Sequence, residues 1–273
     1  MPSDDTIVSR ELLEAVAALA HKAAAEAMAL YGKDIQVEKK ADSSPVTEAD
    51  RAVEAVILEG LAALPETVPV VAEEAVSAHG LPEVGERFFL VDPLDGTKEF
   101  VNRTGEFTVN IGLIENGQPV LGAVYAPAVS RHYFGAKGLG AFAHELSAED
   151  AFDASDARSI SVRTPGAEGV DVVASRSHRS PETDAFLKTL TVRDFKAAGS
   201  SLKFCMLAAG EADVYPRLGR TMEWDTAAGQ AVLEAAGGVV FEFGSERPLR
   251  YGKAERGLDN PHFIAWGAAA ARR

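Results

Sequence analysis

The sequence predicts a two-part protein, with an α+β first half over residues 1–143 and an α/β second half over residues 144–273. Two helix-length apolar patterns precede short apolar runs and an Asn-Gly turn in the first half. In the second half, strand and helix patterns alternate. No internal repeat interrupts this order.

Leu12, Val16, Leu19, Ala23, Ala27 and Leu30 recur at helical spacing and predict a helix over 8–31, ended by Gly32. Thr47-Glu48-Ala49-Asp50 has the form of a capping box, followed by Val53, Val56, Ile57 and Leu61 as the core stripe of a second helix. Residues 33–45 between them are polar and read as a loop. The apolar runs 69–72 and 87–91 predict strands, each delivering an acid at its C-terminal end: Glu73 and Asp92. Residues 106–125 predict a hairpin turning at Asn116-Gly117. The polar, alanine-rich stretch 144–158 is expected to join the halves. Beyond it, strands are expected over 170–174, 212–215 and 239–243, and helices over 181–190, 200–209 and 225–236, the last closed by Gly237-Gly238.

Composition narrows the chemistry. A single cysteine, Cys205, rules out an internal disulfide and a multi-cysteine zinc site. No run of about 18 apolar residues is present to span a bilayer. Ser3, Asp4 and Asp5 carry the wrong charge for a secretory signal, so a soluble cytoplasmic protein is expected. The net charge of −14 repels nucleic acid polymers and anionic membranes. Small anionic substrates remain compatible if bound cations invert the local field.

The strongest chemical signal is Val91-Asp92-Pro93-Leu94-Asp95-Gly96-Thr97, with two carboxylates three residues apart where an apolar strand is expected to break. Pro93 cannot donate to a ladder, and Gly96 admits an unusual backbone angle. A helix starting just after Asp95 would aim free amides of Gly96, Thr97 and Lys98 at an anion. An ordinary turn stays open, since Asp, Pro and Gly are turn residues. Glu73-Glu74 can equally be a solvated pair, Asp50 the return partner of a capping box, and Asp225 a helix N-cap. Together, Glu73, Asp92, Asp95 and Asp225 suggest an oxygen-rich site, and hard oxygen donors without paired histidines or cysteines favour Mg2+ over zinc. No His-Glu-x-x-His, Gly-x-Ser-x-Gly or Walker pattern occurs, and Cys205 reads as core.

The segments Asp42-Ser43-Ser44-Pro45-Val46-Thr47-Glu48-Ala49-Asp50, Glu73-Glu74, Val91 to Thr97 and Trp224-Asp225-Thr226-Ala227-Ala228-Gly229 resemble, in order and across nearly the whole chain, the signatures of the inositol monophosphatase superfamily. Those enzymes are magnesium-dependent, lithium-sensitive phosphatases. Lys98-Glu99-Phe100 stands where an inositol monophosphatase more often has Thr-Asn-Phe. With Gly105-Glu106-Phe107, Ser175-Arg176-Ser177-His178 and Gly199-Ser200-Ser201-Leu202-Lys203, it is similar to the CysQ type of bacterial 3'(2'),5'-bisphosphate nucleotidases. These hydrolyse 3'-phosphoadenosine 5'-phosphate to AMP in sulfur metabolism.

The resemblance implies a layered αβαβα sandwich with the active site in the cleft between halves. Glu73, Asp92 and the Leu94 carbonyl would hold one Mg2+; Asp92, Asp95 and Asp225 a second; and a third, weaker ion would sit near Glu73. Asp50 and Thr97, with Glu73, would be the catalytic residues, Thr97 positioning and helping to deprotonate the attacking water. Glu73, Leu94, Asp95, Gly96, Thr97, Ser175, His178, Gly199, Lys203 and Asp225 would contact a small phosphorylated nucleotide. Lys203 also admits a reading as a surface lysine on an amphipathic helix, and His178 as a simple hydrogen-bond partner. Two features depart from the pattern: Ala72 where Gly or Ser commonly precedes the metal-binding Glu, and a longer stretch near 143–160. The same metal core on inositol phosphate, histidinol phosphate or fructose bisphosphate is the nearest rival. A non-catalytic binding protein is the rival from another class. Homodimerisation and peripheral contact at the cytoplasmic side of the inner membrane stay open.

Overall fold

The computed structural model describes residues 8–33, 37–39, 45–174 and 180–268. The first helix, α1 (Arg10–Leu30), opens on Ser9, whose side chain accepts from the Leu12 amide at 3.2 Å. Its apolar face buries Leu13, Val16, Ala20 and Ala24. In α2 (Glu48–Ala62) the capping box forms as read from the sequence, with Thr47 and Asp50 bonding reciprocally. The loop expected over 33–45 is corrected: β1 (Val37–Lys39) pairs antiparallel with β2 (Pro45–Thr47). Pro45 is tolerated because it opens its strand.

Seven strands form the first sheet in chain order: β3 (Val70–Ala72), β4 (Arg87–Asp95), β5 (Thr108–Glu115), β6 (Gln118–Ala126), β7 (Arg131–Ala136), β8 (Gly140–Glu145) and β9 (Arg158–Ile160). Only β3 and β4 run parallel; the short α3 (Glu73–His79) starts the connection between them. Asn116 and Gly117 both take positive φ, 51° and 71°, as the tight turn between β5 and β6 requires. The stretch 144–158 does not simply join halves. It lies back on the first sheet, where Phe152 packs 5.4 Å from His132 and 5.9 Å from Phe134. The expected division after residue 143 falls inside β8, the first sheet continues to Ile160, and the second begins at Val170.

The second sheet has the order β11 (Val192–Ala197), β10 (Val170–Ala174), β12 (Val214–Arg217), β14 (Phe263–Trp266) and β13 (Val239–Glu242). The helices of this half are α5 (Pro181–Leu187), α6 (Leu202–Ala208) and α7 (Ala227–Ala235), each shorter than its sequence pattern. In this sheet two strands escape the sequence reading, as β7, β8 and β9 do in the first. β11 is an exposed edge carrying Arg193, Asp194 and Lys196, with little apolar alternation to betray it. β14 follows a long irregular segment and pairs antiparallel with both β12 and β13.

Alternation along the strands decides the layers. Phe89, Val91, Ile111, Leu113 and Ala123 face α1 and α2. On the opposite side, Val124 and Tyr133 meet α6, α7 and the inner face of the second sheet, where Val173, Tyr215 and Phe263 point. Val172, Val214 and Ile264 turn outward against Phe186 and Leu187 of α5. The result is the αβαβα sandwich. Among the described residues, no helix is long and apolar enough to cross a membrane.

The central helix α7 sits unusually close to the first sheet. Gly112 and Gly122 are cross-strand partners, and a Cβ at Gly122 would stand 2.2 Å from the Ala228 carbonyl oxygen. Gly122→Val must therefore push α7 off β6. It is expected to cost at least ~1–3 kcal/mol, the usual range for overpacking, and most of the activity. Thermal unfolding and activity of the variant, measured together, check this; an unchanged melting temperature would contradict the seating.

Candidate active site

The two carboxylates of the central motif are separated by a bulge. β4 does not stop at Val91, as the sequence pattern suggests. It pairs with β5 through Asp92 opposite Asn110, then resumes with Asp95 opposite Thr108, so Pro93 and Leu94 stand against the single residue Val109. The Leu94 amide turns back onto Asp92 Oδ1 at 3.0 Å. Gly96 follows at φ 96°, and the five-residue helix α4 (Thr97–Val101) starts immediately. Proline, which cannot donate, is thus placed in the part of the strand where the ladder is interrupted.

The capping box of α2 serves the same corner. Asp50 is buried, and its Oδ2 accepts from the Thr47 amide at 2.7 Å and the Thr47 hydroxyl at 2.6 Å. Its other oxygen, Oδ1, accepts from the Thr97 hydroxyl at 3.0 Å. The ordinary capping reading therefore holds for Asp50, and the same carboxylate also reaches Thr97. Thr97 Oγ1 is also 3.3 Å from the Leu94 carbonyl, so the hydroxyl sits between a carboxylate and a backbone oxygen of the bulge.

Glu73 directly follows β3, as read from the sequence, and begins α3, and its charge reaches Asp92, Asp95 and Asp225. Asp225 does not cap α7, whose N-cap is Thr226; its Oδ2 accepts from the Met222 amide at 2.9 Å. Burial, then the charges of Glu73, Asp95 and Asp225, push the Asp92 carboxyl well above the ordinary carboxylate range. Burial and the charges of Asp95 and Glu73 do the same to Asp225. Asp95 is raised to about 6, burial outweighing the attraction of Lys203. Among the described residues, no three His, Cys, Asp or Glu side chains are already gathered as an ion would hold them. The donor set nevertheless fits a hard divalent cation: oxygen donors only, enclosed, and mutually repelling until positive charge is placed between them.

Positive charge lines the same cleft. Lys203 is not a surface lysine: it is buried on α6, with Nζ 2.6 Å from the Ser200 carbonyl and 5.3 Å from the centre of the Tyr215 ring. Burial lowers its pKa to about 8 against the pull of Asp95. Arg217, at the end of β12, shares the cleft with Lys203, Asp95 and Asp225, and its buried Nε has no hydrogen-bond partner among the described residues. The sequence reading missed Arg217; its available signal is the spacing Tyr215-x-Arg217, which puts both on one strand face. Gly199 and Gly96 both border this cleft. Ser175 and His178, expected to touch the nucleotide, lie outside the described residues, as do Asp42, Ser43 and Ser44. Cys205 is buried in the core, as expected.

The inositol monophosphatase family model matches residues 9–272. The 3'(2'),5'-bisphosphate nucleotidase CysQ of Salmonella typhimurium is 44% identical over 254 residues, covering 92% of this chain and 98% of that protein. The structure of CysQ from Bacteroides thetaiotaomicron, a bacterial member of the inositol monophosphatase family, superposes with a TM-score of 0.78 at 36% identity over 94% of this chain and 97% of that one. An inositol monophosphatase (IMPase) from Thermotoga maritima gives 0.74 at 26% identity over 94% of this chain and 92% of that one. With the carboxylate corner, the five layers and a match along almost its whole length in hand, the chain belongs to the inositol monophosphatase family.

Proposed function

We propose that this protein is a Mg2+-dependent 3'(2'),5'-bisphosphate nucleotidase that hydrolyses 3'-phosphoadenosine 5'-phosphate to AMP and phosphate, with the corresponding 5'-phosphosulfate as a second substrate. The observation that carries this reading beyond a general phosphatase is the cationic wall. Lys203 and Arg217 line the same cleft as Asp95 and Asp225, and a second phosphate on the substrate needs positive charge that the metal site does not supply. The similarity to CysQ proteins supports the same substrate.

Glu73, Asp92, the Leu94 carbonyl, Asp95 and Asp225 would hold two Mg2+ ions, with a third, weaker one near Glu73. Bound Mg2+ supplies charge neutralisation and activation of water, and Li+ competing for the same carboxylates would inhibit. The chain's own residues do the rest. The Thr97 hydroxyl donates to Asp50 Oδ1, which leaves its lone pairs facing outward to accept from a water. As the water gives its proton to Thr97 Oγ1, the Thr97 hydroxyl proton passes to Asp50 Oδ1, whose carboxylate is held in place by both donors of Thr47. Backbone amides at Gly96 and Thr97 lie beside the transferring phosphate and favour its charge. Lys203 and Arg217 orient the nucleotide through its 5'-phosphate.

Lys203→Met tests the assignment through the substrate. A charge-assisted hydrogen bond is worth about 1.5–3 kcal/mol, so kcat/KM on 3'-phosphoadenosine 5'-phosphate is expected to fall roughly tenfold to a hundredfold. On adenosine 3'-phosphate, which lacks the 5'-phosphate, the same change should cost little. Equal losses on both substrates would contradict the role of Lys203.

A further inference from the structure

From the serine pair at the head of α6, we infer that Ser200 and Ser201 are positioning residues that set the spacing between the carboxylates of the two halves. The inference rests on the phosphatase reading above. Ser201 Oγ donates to the backbone carbonyl of Asp225 at 2.8 Å. Ser200 Oγ, one residue earlier, lies 2.8 Å from the carbonyl of Asp95 and 2.9 Å from that of Glu106. Two adjacent hydroxyls therefore grip the main chain of the two aspartates that approach the site from opposite halves. The Ser200 carbonyl in turn accepts from Lys203 Nζ. One short segment thus ties together the two metal-facing aspartates and the cation that faces the substrate.

The fit around this staple is tight. Gly96 leaves room for it, because a Cβ there would stand 2.6 Å from Ser200 Oγ. A Cβ at Gly199 would stand 2.5 Å from the Glu106 carbonyl, so the segment is pressed against the first half along its length. Ser200 holds φ 49°, a conformation that non-glycine residues rarely adopt. Glycine would take that angle without cost, and the chain carries serine there. The hydroxyl supplies the reason: it is the only part of the side chain long enough to reach Asp95. The one hydroxyl hydrogen is shared between the two carbonyls, which holds Asp95 and Glu106 around one oxygen.

Groups that orient metal ligands typically change metal affinity about 10- to 100-fold when removed. Calorimetric Mg2+ titration of the substrate-free protein is the primary measurement, with kcat and KM as the second. Ser200→Ala, Ser200→Gly and Ser201→Ala should each weaken Mg2+ binding about tenfold and lower kcat more than they raise KM. Ser201→Thr keeps the hydroxyl in a helical backbone and should restore wild-type affinity. Ser200→Gly removes both hydroxyl and strain, so a return to wild-type affinity in that variant would overturn the role of the hydroxyl. Unchanged affinity in both alanine variants would overturn the staple, as would wild-type protein that binds no Mg2+. Wild type that binds Mg2+ but ignores the nucleotide would sink the nucleotidase reading, leaving the variant comparison to decide the staple.

Discussion

Asp95→Asn is expected to lower kcat about a thousandfold, while raising the melting temperature of the metal-free protein. The first effect follows from removing a charged ligand: several kcal/mol of transition-state stabilisation corresponds to roughly three decades of rate. The second follows from the electrostatics of the empty cluster. Glu73, Asp92, Asp95 and Asp225 repel one another in an enclosed corner, and burial together with that repulsion raises Asp92, Asp95 and Asp225 above the ordinary carboxylate range. A near-isosteric amide removes one charge and keeps the shape, so each kcal/mol relieved should add roughly 2–4 °C in a chain of this size. Wild type should then gain more from added Mg2+ than the variant does. Opposite signs for activity and stability are the diagnostic. A variant that loses both equally has merely misfolded, and one that keeps its activity contradicts the assignment of Asp95.

The second large effect lies far from the cleft. His132 is fully buried between Tyr125, Phe134 and Phe152, with ring centroids 4.9, 5.4 and 5.4 Å away. Among the described residues, neither of its ring nitrogens finds a hydrogen-bond partner. Burial, followed by the charges of His21 and His144, lowers its pKa from 6.5 to about 3. The unfolded chain therefore takes up a proton below pH 6.5 that the folded chain refuses until about pH 3. Unfolding binds more protons across that window, so stability is full above it and falls as the pH drops through it. At about 1.4 kcal/mol per pKa unit the loss reaches roughly 4 kcal/mol at its lower end. His132→Phe and His132→Leu should both flatten the acid side of the stability curve, measured by urea unfolding between pH 7 and 4. They should also stabilise the protein near neutrality, because an unpartnered buried polar group costs ~1–3 kcal/mol. A wild-type curve as flat as those of the variants would contradict the buried neutral state.

Much of this architecture was legible in the sequence because local chemistry and tertiary packing agree there. The stripe from Leu12 to Leu30, the Thr47 capping box and the Asn116-Gly117 turn each name their own structure. The bulge after Asp92 was read as a strand end, since Pro93 signals interruption without saying that pairing resumes at Asp95. β11 and β14 were invisible for a different reason. An exposed edge strand needs no apolar face, and β14 draws its identity from partners on both sides. In the site, the acids announced themselves through motif spacing, whereas Ser200 meets Asp95 across 105 residues of chain and Arg217 shares the cleft with that same distant aspartate, which spacing does not encode.

Phosphate release in the presence of Mg2+ from 3'-phosphoadenosine 5'-phosphate, inositol 1-phosphate, histidinol phosphate and fructose 1,6-bisphosphate tests the central claim most directly. The account predicts a strong preference for the bisphosphorylated nucleotide, with AMP as the product. A preference for any other substrate would contradict the nucleotidase assignment while keeping the metal corner, and silence on all four would contradict the enzyme itself.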